Sequence, residues 1–218
     1  MTSSAKGTGR TVEEKVRLGV VCLDKTVEYY NAKAREFFES TVNVDMTGHY
    51  REFLRLVPQG GRILDAGCGS GRDSLYFLNR GYRVTAFDAS PVLAQMSSEL
   101  IGQPVAVLRF QDLDFDEEFD GVWACASLLH VPRSEMPDVL QRLTRALKPN
   151  GVLYASFKYG DGEGERNGRF FNDYDERSFQ LLLRNHPDLE LVSFWVSEDV
   201  RPGREGEKWL NVLVRRIR

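Results

Sequence analysis

The tightest constraint on the fold of this chain is a short apolar run that ends in a glycine-rich bend. The run covers residues 62–66 and carries Asp65, and glycines then alternate with other residues at Gly67, Gly69 and Gly71. Glycine tolerates positive φ angles and lets the backbone approach a ligand closely, and the helix-like stretch that follows would point its first N–H groups at the same place. The sequence therefore predicts a strand, a tight turn and a helix, with a ligand site at the turn.

Strand-like and helix-like segments alternate along the rest of the chain, as is typical of a doubly wound parallel sheet. Strands are predicted at residues 62–66, 83–87, 105–110, 119–124, 152–157, 189–196 and 209–215. Helices are predicted at residues 72–80, 91–101, 134–147 and 174–184, and a glycine-rich loop at residues 160–168. We therefore predict an α/β fold with a Rossmann-like, doubly wound, seven-stranded sheet. The sheet is expected to be mostly parallel, to end in an antiparallel hairpin and to carry helices on both faces.

The residues before the first strand are predicted to form a helical cover over the ligand cleft. Residues 12–39 are predicted to form one or two helices, and residues 48–57 another that leads into the core. We expect residues 1–57 to be this cover, with about the first ten residues disordered, and residues 58–218 to be the main domain. A chain of 218 residues with 42% apolar content can bury one substantial core, so a single structural domain is expected.

Charge and cysteine usage exclude some classes of function. A formal net charge of −3 argues against a protein that binds nucleic acid mainly by neutralising phosphates. We expect no metal, since a structural zinc site needs closely spaced ligands. The widely spaced candidates are Cys22, Cys68, Cys125, His49, His130 and His186. The apolar run at residues 19–23 is too short for a membrane span, which predicts a cytoplasmic protein with reduced thiols.

The residues around the glycines narrow the class of ligand. Arg72 stands where a dinucleotide-binding turn would place its third glycine, so a nicotinamide dehydrogenase is disfavoured. Asp65 would repel a pyrophosphate but would suit a ligand that carries a cationic amine.

Two further acids follow predicted strands. Asp88 ends the second strand and can accept hydrogen bonds from both hydroxyls of a ribose, while Ser90 is available to cap the next helix. Asp112 follows the third strand and can accept from an adenine amino group, with Leu113 beside it for apolar contact. For Asp112, a solvated loop acid is a competing interpretation.

Taken in order, these motifs resemble those of class I S-adenosylmethionine-dependent methyltransferases. The matching segments are residues 64–71, 88, 111–113, 119–123, 128–132 and 147–151. In length and layout the chain is similar to small bacterial members of the tellurite-resistance or small-metabolite type.

The resemblance implies S-adenosylmethionine as cofactor and S-adenosylhomocysteine as product. The residues implied to line the cofactor are Tyr30, Asp65, Gly67, Cys68, Gly69, Arg72, Asp88, Ala89, Asp112, Leu113, Ala124, Cys125 and Ala126. The glycine bend would hold the methionine end, Asp88 the ribose and Asp112 the adenine, and the residues after the fourth strand would lie beneath the sulfonium. Arg72 could pair with a carboxylate, although an arginine at a helix start is often solvated. Tyr30 could close the pocket, although packing of an amphipathic helix explains it equally well.

A catalytic base is expected only if the acceptor atom is protonated at neutral pH, because a thiolate or another soft anion needs none. The candidate is His130, predicted just beyond the fourth strand at the carboxyl edge of the sheet, where ligands of open α/β folds bind. A structural histidine that hydrogen-bonds a loop is an equally open interpretation. His49, near the predicted cover, is a second candidate.

The sequence does not identify the methyl acceptor. Contacts to it are expected from the cover, the loop after the fifth strand and the terminal hairpin, at Tyr159, Arg169, Phe170, Phe171, Tyr174, Arg201 and Arg204. Aromatic rings with arginines suit an anionic or flat acceptor. We therefore expect an enzyme, monomeric or homodimeric, that methylates a small molecule or a soft anion. A tRNA wobble-uridine methyltransferase and a non-catalytic, cofactor-binding partner subunit are the alternatives.

Overall fold

The structure, a computed structural model, describes residues 25–218. The part of the predicted cover at residues 1–24 lies outside the described residues. The helices are α1 (25–32), α2 (Ala34–Thr41), α3 (Thr47–Leu54), α4 (Arg72–Leu78), α5 (Pro91–Ile101), α6 (Met136–Ala146) and α7 (Glu176–Leu183). The strands are β1 (Arg62–Ala66), β2 (Arg83–Asp88), β3 (Ala106–Val107), β4 (Phe119–Ala124), β5 (Leu147–Lys158), β6 (Glu163–Arg166), β7 (Arg169–Asn172), β8 (Leu189–Glu198) and β9 (Lys208–Arg216). Over this described range, no helix has the length and apolar character to cross a bilayer.

Seven of these strands form one sheet in the order β3-β2-β1-β4-β5-β9-β8. The first five strands in this order pair in parallel, whereas β9 is antiparallel to both β5 and β8. β2 and β3 therefore lie on one side of β1, and β4 and the later strands lie on the other side. This arrangement confirms the predicted mostly parallel, seven-stranded sheet with a terminal antiparallel hairpin.

Side chains alternate between the two faces of the central strands, and different helices cover each face. On one face, Leu64, Val122 and Leu153 pack with the apolar side of α6. On the other face, Ile63 and Trp123 pack with residues of α3 and α4. Because central parallel strands are covered on both sides, almost every position in them must be apolar. An acid in such a strand, as at residue 65, therefore calls for a specific partner.

The third strand differs from the prediction. Only Ala106–Val107 pairs with β2, both residues are exposed, and Phe110–Asp112 forms a 3₁₀ turn. The predicted buried strand at residues 105–110 was therefore wrong in its length and burial. The reason is topological, since β3 lies at the edge of the sheet and has a neighbour on one side only.

The predicted glycine-rich loop at residues 160–168 also differs, because much of it belongs to a β-hairpin. β6 and β7 pair antiparallel and are joined by Asn167 and Gly168, both of which have positive φ angles, 50° and 77°. An Asn-Gly pair with this geometry is the preferred two-residue hairpin turn. The hairpin contacts α1, where the Thr26 hydroxyl oxygen accepts from the N–H of Phe170 at 3.0 Å.

Candidate functional site

A cavity lies at the carboxyl ends of the parallel strands, where β1 and β4 are neighbours. Its floor is formed by residues that directly follow strands, at 67–70, 88–90 and 125–127. Helices α1 and α2 cover it through Tyr30 and Phe37. The strand order changes direction at this point, and ligands of open α/β sheets bind at such a switch point.

The glycine bend faces the cavity through Gly67 and Gly69, with φ angles of 78° and 55°. The space next to each Cα is already filled by the protein. A Cβ on Gly67 would lie 2.5 Å from the Cβ of Ser127, and one on Gly69 would lie 3.0 Å from the Phe37 ring. Glycine is therefore needed because other parts of the chain pack against the bend. The close approach that the sequence predicted for a ligand is made by protein neighbours.

The carboxylate of Asp88 links two segments of the cavity floor by hydrogen bonds. One oxygen accepts the N–H of Gly69 at 2.8 Å and the other accepts the N–H of Ser90 at 2.8 Å. Burial raises the pKa of Asp88, and the two N–H donors act in the opposite direction. Each carboxylate oxygen retains further lone-pair capacity, so the group can still accept hydrogen bonds from a diol. Ala89 lines the cavity beside it.

Asp65 lies behind the cavity wall. Its side chain is 1% exposed and accepts a hydrogen bond from the Ser74 hydroxyl at 2.6 Å. Burial raises the pKa of Asp65, and the neighbouring Asp73 carboxylate raises it further. The side chain of Asp65 therefore does not line the cavity formed by the described residues, as the predicted contact with a cationic amine would require. The reason is side-chain alternation along β1, which places residue 65 on the face covered by α4.

Arg72 lines the cavity, but its guanidinium is already paired. It donates to Asp73 through Nε at 2.6 Å and through Nη2 at 3.0 Å. Asp73 also accepts from the Tyr50 hydroxyl and from Trp123 Nε1 at 2.8 Å. Burial acts to raise the pKa of Asp73, but the guanidinium and these donors lower it overall. This buried pair ties α3, α4 and β4 together.

The predicted adenine contacts do not line the cavity. Asp112 is exposed in its 3₁₀ turn, and Leu113 is fully buried in the core. At this end the cavity is lined by three apolar side chains, Leu93, Leu108 and Phe110. The chemistry of this end therefore suits the flat face of an aromatic group.

The residues after β4 are divided between the core and the cavity. Ala124 is fully buried in the sheet, whereas Cys125 and Ala126 line the cavity. Burial raises the pKa of Cys125 to about 12, so the group is a neutral thiol at pH 7. The N–H of Ala126 donates to the Ser156 hydroxyl oxygen at 2.8 Å. Cys68, in the glycine bend, lines the cavity as well.

His130 is held between two partners. Its Nδ1 lies 2.6 Å from the carbonyl oxygen of Phe170, and its Nε2 lies 2.9 Å from the Tyr30 hydroxyl. A carbonyl oxygen can only accept, so Nδ1 carries the proton and Nε2 accepts from Tyr30. Burial lowers the pKa of His130 to about 4. The ring is therefore neutral at pH 7, and its lone pair is engaged by a cover residue.

His49 lies on the other side of the cavity. Its ring stacks on Trp195 at a centroid distance of 5.9 Å, and Nδ1 lies 3.5 Å from the Tyr154 hydroxyl. Tyr154 in turn donates to Asn211 Oδ1 at 2.7 Å. Burial lowers the pKa of His49, which favours the neutral ring.

Charged side chains from β5, the end of β8 and the β8–β9 connection line the far end of the cavity, and their cations pair with nearby carboxylates. Lys158 lies 3.4 Å from Asp199, and Arg201 lies 2.6 Å from the same carboxylate. Arg204 pairs with Glu207 at 2.9 Å. These cations are neutralised within the protein.

Of the other residues predicted to contact an acceptor, two line the cavity and three do not. Arg169 and Phe171 line the cavity. Tyr159 is 42% exposed on the outer surface, and Phe170 and Tyr174 are buried. The side chains of these last three residues therefore do not reach the cavity.

Comparison with known proteins matches the central part of the chain to a methyltransferase domain. The family model of the methyltransferase domain matches residues 64–155, which span β1 to β5. Residues 64–155 are identified as a methyltransferase domain, and the relatives that align with this segment are named as methyltransferases. This methyltransferase domain contains the glycine bend, Asp88 and the floor of the cavity. The resemblance predicted from the sequence motifs is confirmed.

Individual relatives match the central part of this chain. It is 31% identical over 117 residues to YqeM of Bacillus subtilis, which is named a methyltransferase, covering 48% of this chain and 47% of that protein. It is 36% identical over 109 residues to the ubiquinone biosynthesis O-methyltransferase of Xanthomonas axonopodis pv. citri, covering 47% and 45%. The chain therefore spans about half the length of these relatives.

A solved structure extends the likeness in fold. The Burkholderia thailandensis 1,6-didemethyltoxoflavin-N1-methyltransferase, with its substrate and S-adenosylhomocysteine bound, superposes with a TM-score of 0.76 at 22% identity. The match covers 98% of this chain and 94% of that chain. The likeness in fold therefore includes helices α1 and α2 and strands β8 and β9, which the family model does not match.

Three features of the site were missed from the sequence. Asp73 follows Arg72 directly, and an acid next to an arginine at a helix start is usually solvated, so nothing local predicts a buried pair. Phe37 reaches the glycine bend only because α2 folds over it. The β6–β7 hairpin, in contrast, had a local signal in the dipeptide Asn167-Gly168.

Proposed function

We propose that this protein transfers the methyl group of S-adenosylmethionine to a small molecule that binds in the same cavity. The observation that carries the proposal is that one cavity joins the backbone of the glycine bend, the carboxylate of Asp88 and a cover of aromatic side chains. When bound, S-adenosylmethionine supplies a methyl group already activated on a sulfonium.

The residues at the floor of the cavity suggest which part of the cofactor each would contact. Asp88 would accept hydrogen bonds from the ribose hydroxyls, and the apolar group of Leu93, Leu108 and Phe110 would contact the adenine. Gly67 and Gly69 would then lie at the methionine end, next to Cys125 and Ala126. In this proposal Asp65, Leu113 and Ala124 are buried behind the cavity, and Asp112 has no role in binding the cofactor.

The contribution of the protein to catalysis would be alignment and exclusion of water. A well-held pair of reactants can reach effective molarities on the order of 10⁵ M. Tyr30 and Phe37 close the cavity on the cover side, with ring centroids 5.1 Å apart. His130 would act as a positioning residue that holds Tyr30, because its Nε2 is already engaged. If the acceptor atom is protonated, His49 is the better placed candidate for a base.

The covered cavity favours a small acceptor over the tRNA alternative. A nucleotide within a folded RNA would need an open and basic approach, whereas the cations at the far end of this cavity are paired with Asp199 and Glu207. The ubiquinone biosynthesis O-methyltransferase that matches this chain is named for a small-molecule pathway, which is consistent with this choice.

Calorimetric titration of S-adenosylhomocysteine tests the cofactor part of the proposal. We expect wild-type protein to bind it, and Asp88→Ala to weaken binding by about 1.5–3 kcal/mol, the usual cost of losing hydrogen bonds to a charged group. Asp116→Ala, an exposed acid in the loop before β4, is the matched control and should bind like wild type. Absence of binding to wild type would defeat the proposal, and unchanged affinity in Asp88→Ala would show that Asp88 does not hold the ribose.

Turnover distinguishes an enzyme from a non-catalytic partner subunit. Release of S-adenosylhomocysteine would be measured with a panel of small phenols, thiols, amines and carboxylic acids. At least one acceptor should give turnover above the hydrolytic background. Tight cofactor binding without turnover on any of them, together with turnover only in the presence of a second protein, would support the subunit alternative.

A further inference from the structure

Arg166 and Arg169 face each other across the turn of the β6–β7 hairpin, yet their surroundings differ. They are a register pair, and both guanidinium groups lie over the Phe171 ring, at 4.5 and 5.1 Å from its centroid. Arg166 pairs with the carboxylate of Asp173. Arg169 has no carboxylate partner among residues 25–218, and its side chain lines the cavity.

The guanidinium of Arg169 is enclosed by aromatic rings and is short of acceptors. It lies 4.6 Å from the centroid of Tyr29 and 5.8 Å from that of Tyr30. Its one hydrogen bond to a described residue is to the Tyr30 hydroxyl, at a long 3.4 Å. Nε is buried without a hydrogen-bond partner in the described part of the chain. A buried donor that lacks an acceptor costs free energy, so its retention points to an acceptor that arrives with a ligand.

The other cationic side chains that line the cavity, unlike Arg169, all have carboxylate partners among the described residues. Arg72 pairs with Asp73, Arg201 with Asp199, and Arg204 with Glu207. Lys158 lies against two of the same carboxylates. Within residues 25–218, Arg169 is therefore the cavity cation whose charge the protein leaves uncompensated.

We propose that Arg169 binds a carboxylate in the cavity and that the methyl acceptor supplies it, so that the acceptor class is a small, flat carboxylic acid. A guanidinium matches a carboxylate through two parallel N–H donors, and the rings of Tyr29, Tyr30 and Phe171 provide walls for a flat body. The inference rests on the proposed function. It selects the acceptor because the guanidinium of Arg169 contacts residues of the cover and of the hairpin, whereas the residues assigned above to the cofactor belong to other segments of the chain.

The cofactor also carries a carboxylate on its methionine part, so the experiment separates the two sources. In the first arm, S-adenosylhomocysteine and 5′-methylthioadenosine, which lacks the amino-acid part, are titrated into wild type and Arg169→Gln. In the second arm, benzoate and its uncharged counterpart benzamide are titrated into the same proteins saturated with S-adenosylhomocysteine. Arg166→Gln is the matched control, since it changes the same residue type in the same hairpin outside the cavity.

We expect Arg169→Gln to leave the affinity for S-adenosylhomocysteine within about twofold of wild type and to weaken benzoate by at least about tenfold, with benzamide weak in all three proteins. Arg169→Lys should recover part of the benzoate affinity, because it keeps the charge but loses the planar fork. Unchanged S-adenosylhomocysteine binding also shows that the variant is folded.

Two results would overturn the proposal. Loss of S-adenosylhomocysteine affinity in Arg169→Gln, with 5′-methylthioadenosine unaffected, would assign Arg169 to the cofactor. Equal benzoate binding in wild type and Arg169→Gln, or no preference for benzoate over benzamide in wild type, would show that Arg169 binds no acceptor carboxylate. Failure of wild type to bind S-adenosylhomocysteine would be a failure of the proposed function instead, so the two are distinguishable.

Discussion

At the scale of single residues, hydrogen bonds decide the chemical state of the groups around the cavity. The carbonyl oxygen of Phe170 fixes the proton of His130 on Nδ1, and the Tyr30 hydroxyl takes the lone pair of Nε2. In the same way Asp73 stays ionised although it is buried, because Arg72 is bonded to it by two donors. Histidine and aspartate are typical catalytic residues, but the partners of these two give them structural tasks.

The state of His130 predicts a pH dependence of stability. Its pKa is about 4 in the folded protein, whereas the ordinary pKa of a solvated histidine is 6.5. Between these values the unfolded chain takes up a proton that the folded chain refuses, so stability falls as pH drops through this window. The contribution cannot exceed about 3.5 kcal/mol, since one pKa unit corresponds to roughly 1.4 kcal/mol.

Urea unfolding at pH 7 and pH 4.5 measures this contribution. We expect wild type to lose more free energy of unfolding between the two pH values than His130→Gln does. His186→Gln serves as a comparison, because burial also lowers the pKa of His186 but that ring is outside the cavity. Equal losses in wild type and His130→Gln would contradict the assignment of a neutral, buried His130.

At the scale of elements, the β1–α4 turn shows how one bend serves two purposes. Its glycines adopt positive φ angles that let the chain reverse, and they leave room for parts of the chain that are distant in sequence. Ser127, after β4, fills the space at Gly67 and donates to the carbonyl oxygen of Ala66 at 2.6 Å. The turn is therefore held rigid before a ligand arrives.

Substitution of Gly67 separates the need for a positive φ angle from the need for space beside Ser127. Gly67→Ala should cost about 2–4 kcal/mol of unfolding free energy, from the strain of a positive φ and from the clash with Ser127. Gly102→Ala is the matched control, since Gly102 has a φ of 69° and open space around it. It should show the smaller cost of backbone strain alone.

A double-mutant cycle by urea unfolding identifies the clash. In a Ser127→Gly background, the penalty of Gly67→Ala should fall toward that of Gly102→Ala, because the colliding Cβ is gone. An unchanged penalty in that background would mean that Ser127 does not set the requirement for glycine.

At the scale of the whole molecule, a rigid sheet carries the cavity floor and smaller elements supply the cover. β1, β4 and β5 are buried on both faces, whereas α1 and α2 are short and have only Thr26, Ala34 and Thr41 buried. The cover is joined to the body by a few contacts, such as the hydrogen bond from Ser90 to Asn31 at 2.6 Å. Elements with few buried contacts open locally at low free energy.

Hydrogen exchange measured by mass spectrometry tests this division of the molecule. Peptides from α1, α2 and the β6–β7 hairpin should exchange faster than those from β1, β4 and β5 in the free protein. Saturation with S-adenosylhomocysteine at 100 times its dissociation constant should slow exchange of the cover by up to about 100-fold, which is the mass-action limit for opening that requires release of the ligand. Cover peptides whose exchange does not respond would show that these elements need not open for the ligand.

The sequence by itself determined the fold class and much of the cavity floor. The succession of strands along the chain was predicted from the alternation of segments, and Gly67, Gly69 and Asp88 line the cavity because they lie at or just beyond the carboxyl ends of β1 and β2. Such positions can be predicted, since the carboxyl ends of neighbouring parallel strands always meet at one edge. Helix termini were also readable, as with Ser90 capping α5 through the N–H of Leu93 at 3.1 Å.

Only the tertiary structure decided which charges are free. Asp65 looked like a ligand contact, but strand alternation turned it toward Ser74, and Arg72 proved to be neutralised by its neighbour in sequence. Arg166 and Arg169 cannot be told apart in the sequence, yet one has a carboxylate partner and the other lines the cavity. The free energy of a charge depends on its burial and on its partners, and these come together only when distant segments pack.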